Sequence, residues 1–238
     1  MKIIAHRGAS GYAPENTLSA FELALKMGSR AFEFDVHLTK DKKLVVHHDY
    51  DLKRTAGNPA SIAGLSFAAL KKINVGNKFG FTVERVPLLE EVVHLITPKA
   101  EWINFELKND GNIYPGLEEA LLGFIRSRPG LAEKAIFSSF DYGALKRLRS
   151  LDKGIKIGYL GHHLRSLLLL PAIVRAKAVG AVNFHIPLRL AFALNVALIR
   201  KSGFKVCVYT VNKKSEALRM QKIGVDGIFS NYPDILQK

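Results

Sequence analysis

The sequence predicts a parallel (β/α)8 barrel, and three observations support this fold class. Short apolar segments of strand length alternate with amphipathic segments of helix length along most of the 238 residues. Eight of the apolar segments qualify as barrel strands, which is the number that closes such a barrel. A doubly wound open sheet is less favoured, because no glycine-rich loop of the G-x-G-x-x-G type follows the first strand.

The amino-terminal elements have clear boundaries in the sequence. Residues 2–5 form the first predicted strand. A helix is predicted over residues 17–27, with Asn16 or Thr17 as its cap and Gly28 at its end. This strand and helix form the first β/α unit of the predicted barrel.

An irregular stretch follows the second predicted strand. Residues 43–47 are expected to be extended, and residues 49–85 are rich in Gly and Asn, with one short helical segment over 67–73. We interpret residues 49–85 as an insertion on the barrel, within a single domain that comprises the whole chain. A helix over 88–96, with Pro87 at its start, then leads back to the barrel.

The other predicted elements complete the alternation. The remaining predicted strands are residues 31–36, 101–107, 134–137, 156–160, 181–184, 205–209 and 227–230. The remaining predicted helices are residues 114–127, 142–151, 164–177, 188–201 and 214–222.

Composition favours a folded protein without disulfides or membrane spans. Cys207 is the one cysteine, which excludes an internal disulfide and fits a reducing, cytoplasmic compartment. The apolar run after Lys2 is interrupted at His6, so a signal peptide is not expected. The longest apolar candidate, residues 167–174, is too short for a membrane span and contains Pro171.

The net charge of +14 has two interpretations. A solvated basic surface explains it without functional meaning, because charge alone constrains function weakly. Attraction to phosphate is the functional alternative, through a phosphodiester substrate, an anionic membrane or nucleic acid. Since the chain has no nucleic-acid-binding motif, an acidic substrate or peripheral contact with an anionic membrane is the more economical expectation.

Three carboxylates stand on neighbouring predicted strands. Glu33 and Asp35 lie two residues apart on the second strand, so their side chains share one face. Glu106 lies near the end of the third predicted barrel strand, and a barrel would bring all three acids to one rim. Adjacent carboxylates repel unless a cation neutralises them, and oxygen ligands suit Mg²⁺ or Ca²⁺. Alternatively, each acid pairs with one of the many basic residues.

Histidines and cations near these acids are further candidates. His6 and His48 could act as general acid and base, and alternation along an extended segment sends His47 to the opposite face from His48. Arg7 and Lys108 would either bind a phosphate oxygen or screen the carboxylates. Structural or surface roles are expected for the other histidines considered, which are His37, His94, His162 and His163.

A series of longer motifs runs in order through the chain. In the first part these are His6-Arg7-Gly8, Pro14-Glu15-Asn16-Thr17, Ala20-Phe21, Gly28, Phe32-Glu33-Phe34-Asp35-Val36, Thr39-Lys40-Asp41, Val46-His47-His48-Asp49 and Leu52-Lys53-Arg54-Thr55. Further on they are Val86-Pro87-Leu88-Leu89-Glu90-Glu91-Val92, Asn104-Phe105-Glu106-Leu107-Lys108, Asn183-Phe184-His185, Tyr209-Thr210-Val211-Asn212 and Gly224-Val225-Asp226-Gly227-Ile228. Together the motifs resemble the glycerophosphodiester phosphodiesterase family over nearly the whole chain.

This resemblance implies metal-dependent hydrolysis of glycerophosphodiesters to sn-glycerol 3-phosphate and an alcohol, a step of lipid and glycerol metabolism. It implies a (β/α)8 barrel with an insertion after the second strand. It further implies that His6 and His48 are the general acid and base, without assigning the two roles. It puts Arg7 and Lys108 near the phosphate, and one divalent cation, Mg²⁺ or Ca²⁺, on the three carboxylates.

Three positions depart from the usual pattern of that family. Tyr209 stands where a tryptophan is common, which changes the aromatic wall on the glycerol or alcohol side. Asn231 stands after the last strand where an aspartate is common, so one carboxylate is missing. Residues 55–59 also differ from the common sequence. None of these changes removes a proposed catalytic group.

Two other functions remain open from the sequence. A lysophospholipase D-like or sphingomyelinase D-like enzyme would use the same site on lipid substrates, and the basic surface with the apolar residues 167–174 is compatible with lipid access. A non-catalytic phosphate-binding or membrane-binding barrel is the second alternative. Retention of both histidines and all three carboxylates argues against it, because binding alone needs no acid/base pair.

Overall fold

The protein is described by a computed structural model over residues 1–76, 80, 83–161 and 169–237. Its strands are β1 (Lys2–His6), β2 (Ala31–Leu38), β3 (Leu44–Val46), β4 (Asp51–Leu52), β5 (Asn58–Ser61), β6 (Trp102–Leu107), β7 (Ala135–Ser139), β8 (Ile157–Leu160), β9 (Ala181–Pro187), β10 (Lys205–Tyr209) and β11 (Gly227–Ser230). Its α-helices are α1 (Leu18–Lys26), α2 (Lys53–Ala56), α3 (Phe67–Leu70), α4 (Leu89–Ile96), α5 (Leu117–Arg126), α6 (Leu131–Lys134), α7 (Tyr142–Leu151), α8 (Leu169–Ala178), α9 (Ala193–Lys201) and α10 (Lys214–Lys222).

Eight parallel strands close into a barrel, which confirms the predicted fold class. The strands follow the order β1-β11-β10-β9-β8-β7-β6-β2, and pairing between β1 and β2 closes the ring. Strand β2 is buried along its whole length. Its outward-facing Phe34 packs edge-on against Phe21 of α1 and Phe105 of β6, with ring centroids 5.7 and 5.1 Å apart. The main core therefore lies between the barrel and its helices, and leaves the carboxylates of β2 facing the barrel interior.

Several predicted boundaries shift for identifiable reasons. The helix expected over 88–96 begins at Leu89, because the carbonyl of Pro87 accepts a hydrogen bond from the backbone of Val46 in β3. The helix expected over 188–201 is interrupted at Phe192, whose backbone is extended. Of the helix expected over 164–177, residues 164–168 lie outside the described residues.

The stretch after β3 has a small apolar cluster of its own. Strands β4 and β5 form an antiparallel pair and flank the single helical turn α2 in the chain. Buried apolar side chains beneath these elements are separate from the main core, and they are Val45, Leu52, Ile62, Leu70, Val75 and Val86. The interpretation of residues 49–85 as an insertion within one barrel domain stays a prediction.

The loop between β1 and α1 is shaped by a close backbone approach at Gly8. Gly8 has φ +81°, and a Cβ there would lie 2.6 Å from the backbone carbonyl carbon of Ala20. Helix α1 begins after Thr17, whose hydroxyl accepts a hydrogen bond from the backbone N–H of Ala20 at 3.3 Å. Of the two candidates, Thr17 is therefore the cap. The loop is pressed onto the first turn of α1, and only glycine fits at position 8.

Substitution of Gly8 by Ala is expected to lower the free energy of unfolding by about 2–4 kcal/mol, because backbone strain and steric overlap add. Gly28→Ala is the matched control, since Gly28 has φ +82° but no atom within 4 Å of the position that a Cβ would occupy. It should cost about 1 kcal/mol. Urea unfolding of both variants measures the difference. Equal losses of unfolding free energy would show that steric overlap with Ala20 does not add to the cost of Gly8→Ala.

Candidate active site

The barrel register brings the three predicted carboxylates together. Asp35 of β2 pairs with Glu106 of β6, and Glu33 pairs with His6 at the end of β1. One carboxylate oxygen from each of Glu33, Asp35 and Glu106 lies within 4.8 Å of the others. The adjacent barrel strands β2 and β6 thus bring these three side chains to one end of the barrel interior, as the sequence predicts.

Unpartnered oxygens in this cluster fit a cation. Oε1 of Glu33 and Oδ1 of Asp35 are buried and accept no hydrogen bond from any described residue. The side-chain oxygens of the nearby Asn16 and Asn104 are also buried and accept no hydrogen bond from a described residue. Buried acceptors without donors cost free energy, whereas oxygens of this kind are the ligands that Mg²⁺ and Ca²⁺ bind. The residues present therefore fit one hard divalent cation.

Two cations and an amide contact the same carboxylates. Arg7 Nε lies 3.2 Å and Lys108 Nζ 3.5 Å from the carboxylate of Asp35, and Asn16 donates a hydrogen bond to it at 2.9 Å. Lys108 also donates to Glu106 at 2.9 Å. The expected screening of the acids by Arg7 and Lys108 is thus present.

The acids of this cluster differ in their affinity for protons. Burial and the charges of Asp35 and Glu106 raise the pKa of Glu33 well above its ordinary value. Burial acts in the same direction on Asp35, but the charges of Arg7 and Lys108 outweigh it and lower the pKa of Asp35. A bound cation would favour the ionised form of all three.

His6 is held in one tautomer by a residue from the other end of the chain. Its Nδ1 lies 2.6 Å from Oδ1 of Asn231, and since that oxygen can only accept, Nδ1 carries the proton. Its Nε2 faces the acid cluster, 3.8 Å from Glu33. Burial and the charge of Arg7 lower the pKa of His6 to about 3, so the ring is neutral at pH 7.

His48 is oriented by a chain of ion pairs that reaches into the insertion. Its Nδ1 donates to Asp49 at 2.6 Å, and Arg54 of α2 contacts both Asp49 and Glu15 at 2.6 Å. Glu15 in turn accepts a hydrogen bond from Arg7 at 3.0 Å. This network connects the two sides of the site. The sequence motifs contain its members, but spacing alone does not assign them this role.

The two sides of the site enclose a cavity of about 150 Å³. Its polar wall includes both histidines, Arg7 and the carboxylates of Glu33 and Glu106. The rest of the lining is mainly aromatic and apolar, and it includes Tyr209, whose hydroxyl donates to the carbonyl of Gly161 at 3.2 Å. These remaining lining residues are Phe140, Leu160, His185, Tyr209, Thr210 and Phe229.

Of the histidines expected to have structural or surface roles, His37 and His94 are described, and neither lines the cavity. Nδ1 of His37 is hydrogen-bonded to Tyr114 at 2.8 Å, and His94 is exposed on α4. His47 is buried and bonded to the backbone of Asp51, on the side away from the cavity. The remaining two, His162 and His163, lie outside the described residues.

His185 on β9 lines the cavity and was not among the predicted site residues. Its ring is buried, stacks edge-on against Phe229 at 4.9 Å, and neither ring nitrogen has a hydrogen-bond partner among the described residues. Burial lowers its pKa to about 3. The only signal in the sequence was its place in a motif near the sixth strand.

His185 is expected to make the folded state sensitive to acid. The unfolded chain binds a proton at this ring below its ordinary pKa of 6.5, but the folded protein does so only near pH 3, so stability falls as the pH drops through this window. Between pH 7 and pH 5, the free energy of unfolding should fall by about 2 kcal/mol more in wild type than in the His185→Phe variant. Urea unfolding at both pH values tests this, and an identical loss in the variant would contradict it.

Comparisons with known proteins agree with this geometry. The sequence profile of the glycerophosphoryl diester phosphodiesterase family matches residues 6–235. A glycerophosphodiester phosphodiesterase of Caldanaerobacter subterraneus is 36% identical, over 98% of this chain and 95% of that protein. Another, of Bacillus altitudinis, is 34% identical over 98% of this chain and 95% of that protein.

A solved structure is similar over the whole chain. The Oleispira antarctica phosphodiesterase in complex with its product sn-glycerol 3-phosphate superposes with a TM-score of 0.91 and 32% identity, covering 100% of this chain and 95% of that one. Both the sequence match and the structural match exceed what a shared barrel fold alone would give. The chain belongs to the glycerophosphoryl diester phosphodiesterase family.

Proposed function

We propose that this protein is a metal-dependent hydrolase that cleaves glycerophosphodiesters to sn-glycerol 3-phosphate and an alcohol. The observation that carries this proposal is the buried cluster of Glu33, Asp35 and Glu106, with its unpartnered oxygens beside the imidazole of His6. Family membership and the product bound to the Oleispira antarctica enzyme support the same substrate class. The single buried Cys207 is compatible with action in a reducing, cytoplasmic compartment.

The three carboxylates would hold one Mg²⁺ or Ca²⁺. When bound, a divalent cation polarises a phosphoryl oxygen and stabilises the charge that develops on it. Arg7 lines the cavity, and both Arg7 and Lys108 have their charges paired to the acids of the cluster. In the complex they would be free to donate hydrogen bonds to the phosphate as the cation takes over the neutralisation of the carboxylates.

The two histidines are proposed to transfer protons in opposite directions, one as the general base and the other as the general acid. His6 presents an unprotonated Nε2 to the cavity, so we assign it the removal of a proton from the nucleophile. Nδ1 of His48 donates a hydrogen bond to the carboxylate of Asp49, which fixes the orientation of the ring, so we assign His48 the donation of a proton to the departing alkoxide.

The nucleophile is either water or the neighbouring glycerol 2-hydroxyl. Attack by water on phosphorus breaks the bond to the alcohol and gives glycerol 3-phosphate directly. Attack by the 2-hydroxyl forms a cyclic phosphate first, which water then opens, and proximity favours this route. The bond to the alcohol breaks with the same two proton transfers in both routes. Opening of the cyclic phosphate needs a second pair, in which the attacking water loses a proton and the 2-oxygen regains one.

Product analysis with two substrates tests the proposed specificity. Glycerophosphocholine should yield glycerol 3-phosphate and choline, because the cavity of about 150 Å³ accommodates a small polar glycerol group. Lysophosphatidylcholine is the comparison, and faster release of lysophosphatidic acid from it would favour the lysophospholipase D-like alternative instead. Release of no phosphomonoester from either substrate would contradict the assignment as a phosphodiesterase.

A further inference from the structure

The positive charge of this protein is concentrated in one segment of the chain. Residues 153–225 contain thirteen Lys and Arg and a single acid, Glu216, so this segment carries +12 of the net +14. Among its described residues, ion pairs are limited to that of Arg200 with Asp226. Most of the excess charge therefore faces solvent rather than a protein partner. These charges stand at both ends of the barrel: Lys205 begins β10 and Lys201 ends α9 at the amino end, whereas Lys213 and Lys214 are at the start of α10 at the carboxyl end.

Exposed apolar side chains occur in the same segment. Leu170 and Val174, one turn apart on α8, are 63% and 65% exposed. Phe192 and Leu194, at the start of α9, are 58% and 79% exposed. Large apolar side chains exposed to this extent on neighbouring elements are typical of interaction surfaces.

These side chains lie near the end of the barrel that holds the active site. Strands β8, β9 and β10 are consecutive in the barrel, so α8, α9 and α10, which follow them, are neighbours on its outside. The first turns of these helices adjoin the carboxyl ends of the strands, where the cavity opens. Arg219 of α10 donates to the carbonyl of Ala191 at 3.1 Å, which ties α10 to the start of α9.

Basic side chains accompany the apolar ones at this end. Lys213 and Lys214 are exposed at the start of α10, and Arg189 is exposed ahead of α9. Arg189 comes two residues after Pro187, the last residue of β9, which pairs with Tyr209 of the cavity wall. The basic and apolar surface thus begins beside the wall of the cavity.

We propose that the first turns of α8, α9 and α10 form a docking surface for an anionic lipid bilayer. Leucine, valine and phenylalanine enter the boundary between headgroups and acyl chains, while the surrounding lysines and arginines bind anionic headgroups. A nucleic acid would use the charge but not the aliphatic side chains, which is why the observations favour lipid. When the protein docks in this orientation, the mouth of its cavity faces the membrane. No helix within the described ranges is long and apolar enough to cross a membrane.

Vesicle sedimentation tests the proposal without using catalysis, so its outcome does not depend on the proposed function. Wild-type protein should bind vesicles of phosphatidylcholine with about 30% phosphatidylglycerol, bind pure phosphatidylcholine weakly, and lose binding at high salt. A double variant with Phe192→Ser and Leu194→Ser should bind at least about tenfold more weakly, as should one with Lys213→Glu and Lys214→Glu.

Matched controls change the same residue types elsewhere. Leu151→Ser alters an exposed apolar side chain at the far end of α7, and Lys71→Glu with Lys72→Glu alters an exposed lysine pair in the insertion. Both should bind like wild type, and all variants should retain activity on soluble glycerophosphocholine. Absence of vesicle binding, or equal weakening by the controls, would overturn the proposal, as would tighter binding to an oligonucleotide than to anionic vesicles.

Discussion

Replacement of His6 by Ala, or of His48 by Ala, is expected to lower kcat by about 10²–10⁴-fold, the usual contribution of a positioned acid or base. Each ring is aimed at the cavity by a specific hydrogen bond, His6 by Asn231 and His48 by Asp49, both at 2.6 Å. Neither is one of the proposed metal ligands, so metal affinity should persist. Steady-state kinetics on glycerophosphocholine, together with calorimetric titration of Mg²⁺ or Ca²⁺, separates the two effects.

His94→Ala is the matched control for these variants. His94 is exposed on the outer helix α4, so its replacement should leave both turnover and metal affinity unchanged. A near-wild-type rate in either His6→Ala or His48→Ala would refute the two-histidine mechanism. Loss of metal affinity in either variant would mean that the ring helps to hold the cation.

Replacement of Glu33 by Gln is expected to reduce turnover by about 10³-fold or more and to weaken metal binding severely. The metal-free protein should not be destabilised, because burial and the neighbouring carboxylates already raise the pKa of Glu33 and favour its neutral form. Calorimetric titration and thermal unfolding, each with and without metal, measure these effects. The increase in Tm that a bound cation gives to wild type should be absent from the variant.

Glu118→Gln is the control for burying a neutral amide in place of an acid. Glu118 is as buried as Glu33, but its carboxylate accepts hydrogen bonds from Asn109 and Arg147, away from the cavity. This variant should lose stability and keep its metal affinity. If Glu33→Gln retained wild-type metal binding, Glu33 would not be a ligand.

The fold and the acid cluster could be predicted from the sequence because each depends on local periodicity. Glu33 and Asp35 are two residues apart on β2, so their side chains share a face. Strands β2 and β6 are parallel neighbours, and their pairing puts Asp35 beside Glu106. The eight barrel strands follow from alternation in the same way. The start of the helix predicted over residues 114–127 lies three residues too early, because Gly116 adopts the left-handed conformation and α5 begins at Leu117.

The supporting residues of the site could not be predicted from spacing, because their partners are distant in the chain. Asn231 contacts His6 across 225 positions, and only the closed barrel brings the last strand beside the first. Comparison with the usual family pattern shows that Asn231 replaces a common aspartate. It does not show that the amide oxygen of Asn231 still fixes the ring of His6. Arg54 is likewise joined to Glu15 only by the fold of the insertion.

Release of glycerol 3-phosphate from glycerophosphocholine after treatment with EDTA, and again after Mg²⁺ or Ca²⁺ is restored, tests the central claim most directly. The cluster of buried, mutually repelling carboxylates predicts that EDTA abolishes release and that at least one of the two ions restores it. The ion that restores the rate is an activating cation. Full activity in the presence of EDTA, with no bound metal detected by elemental analysis, would contradict a metal-dependent mechanism.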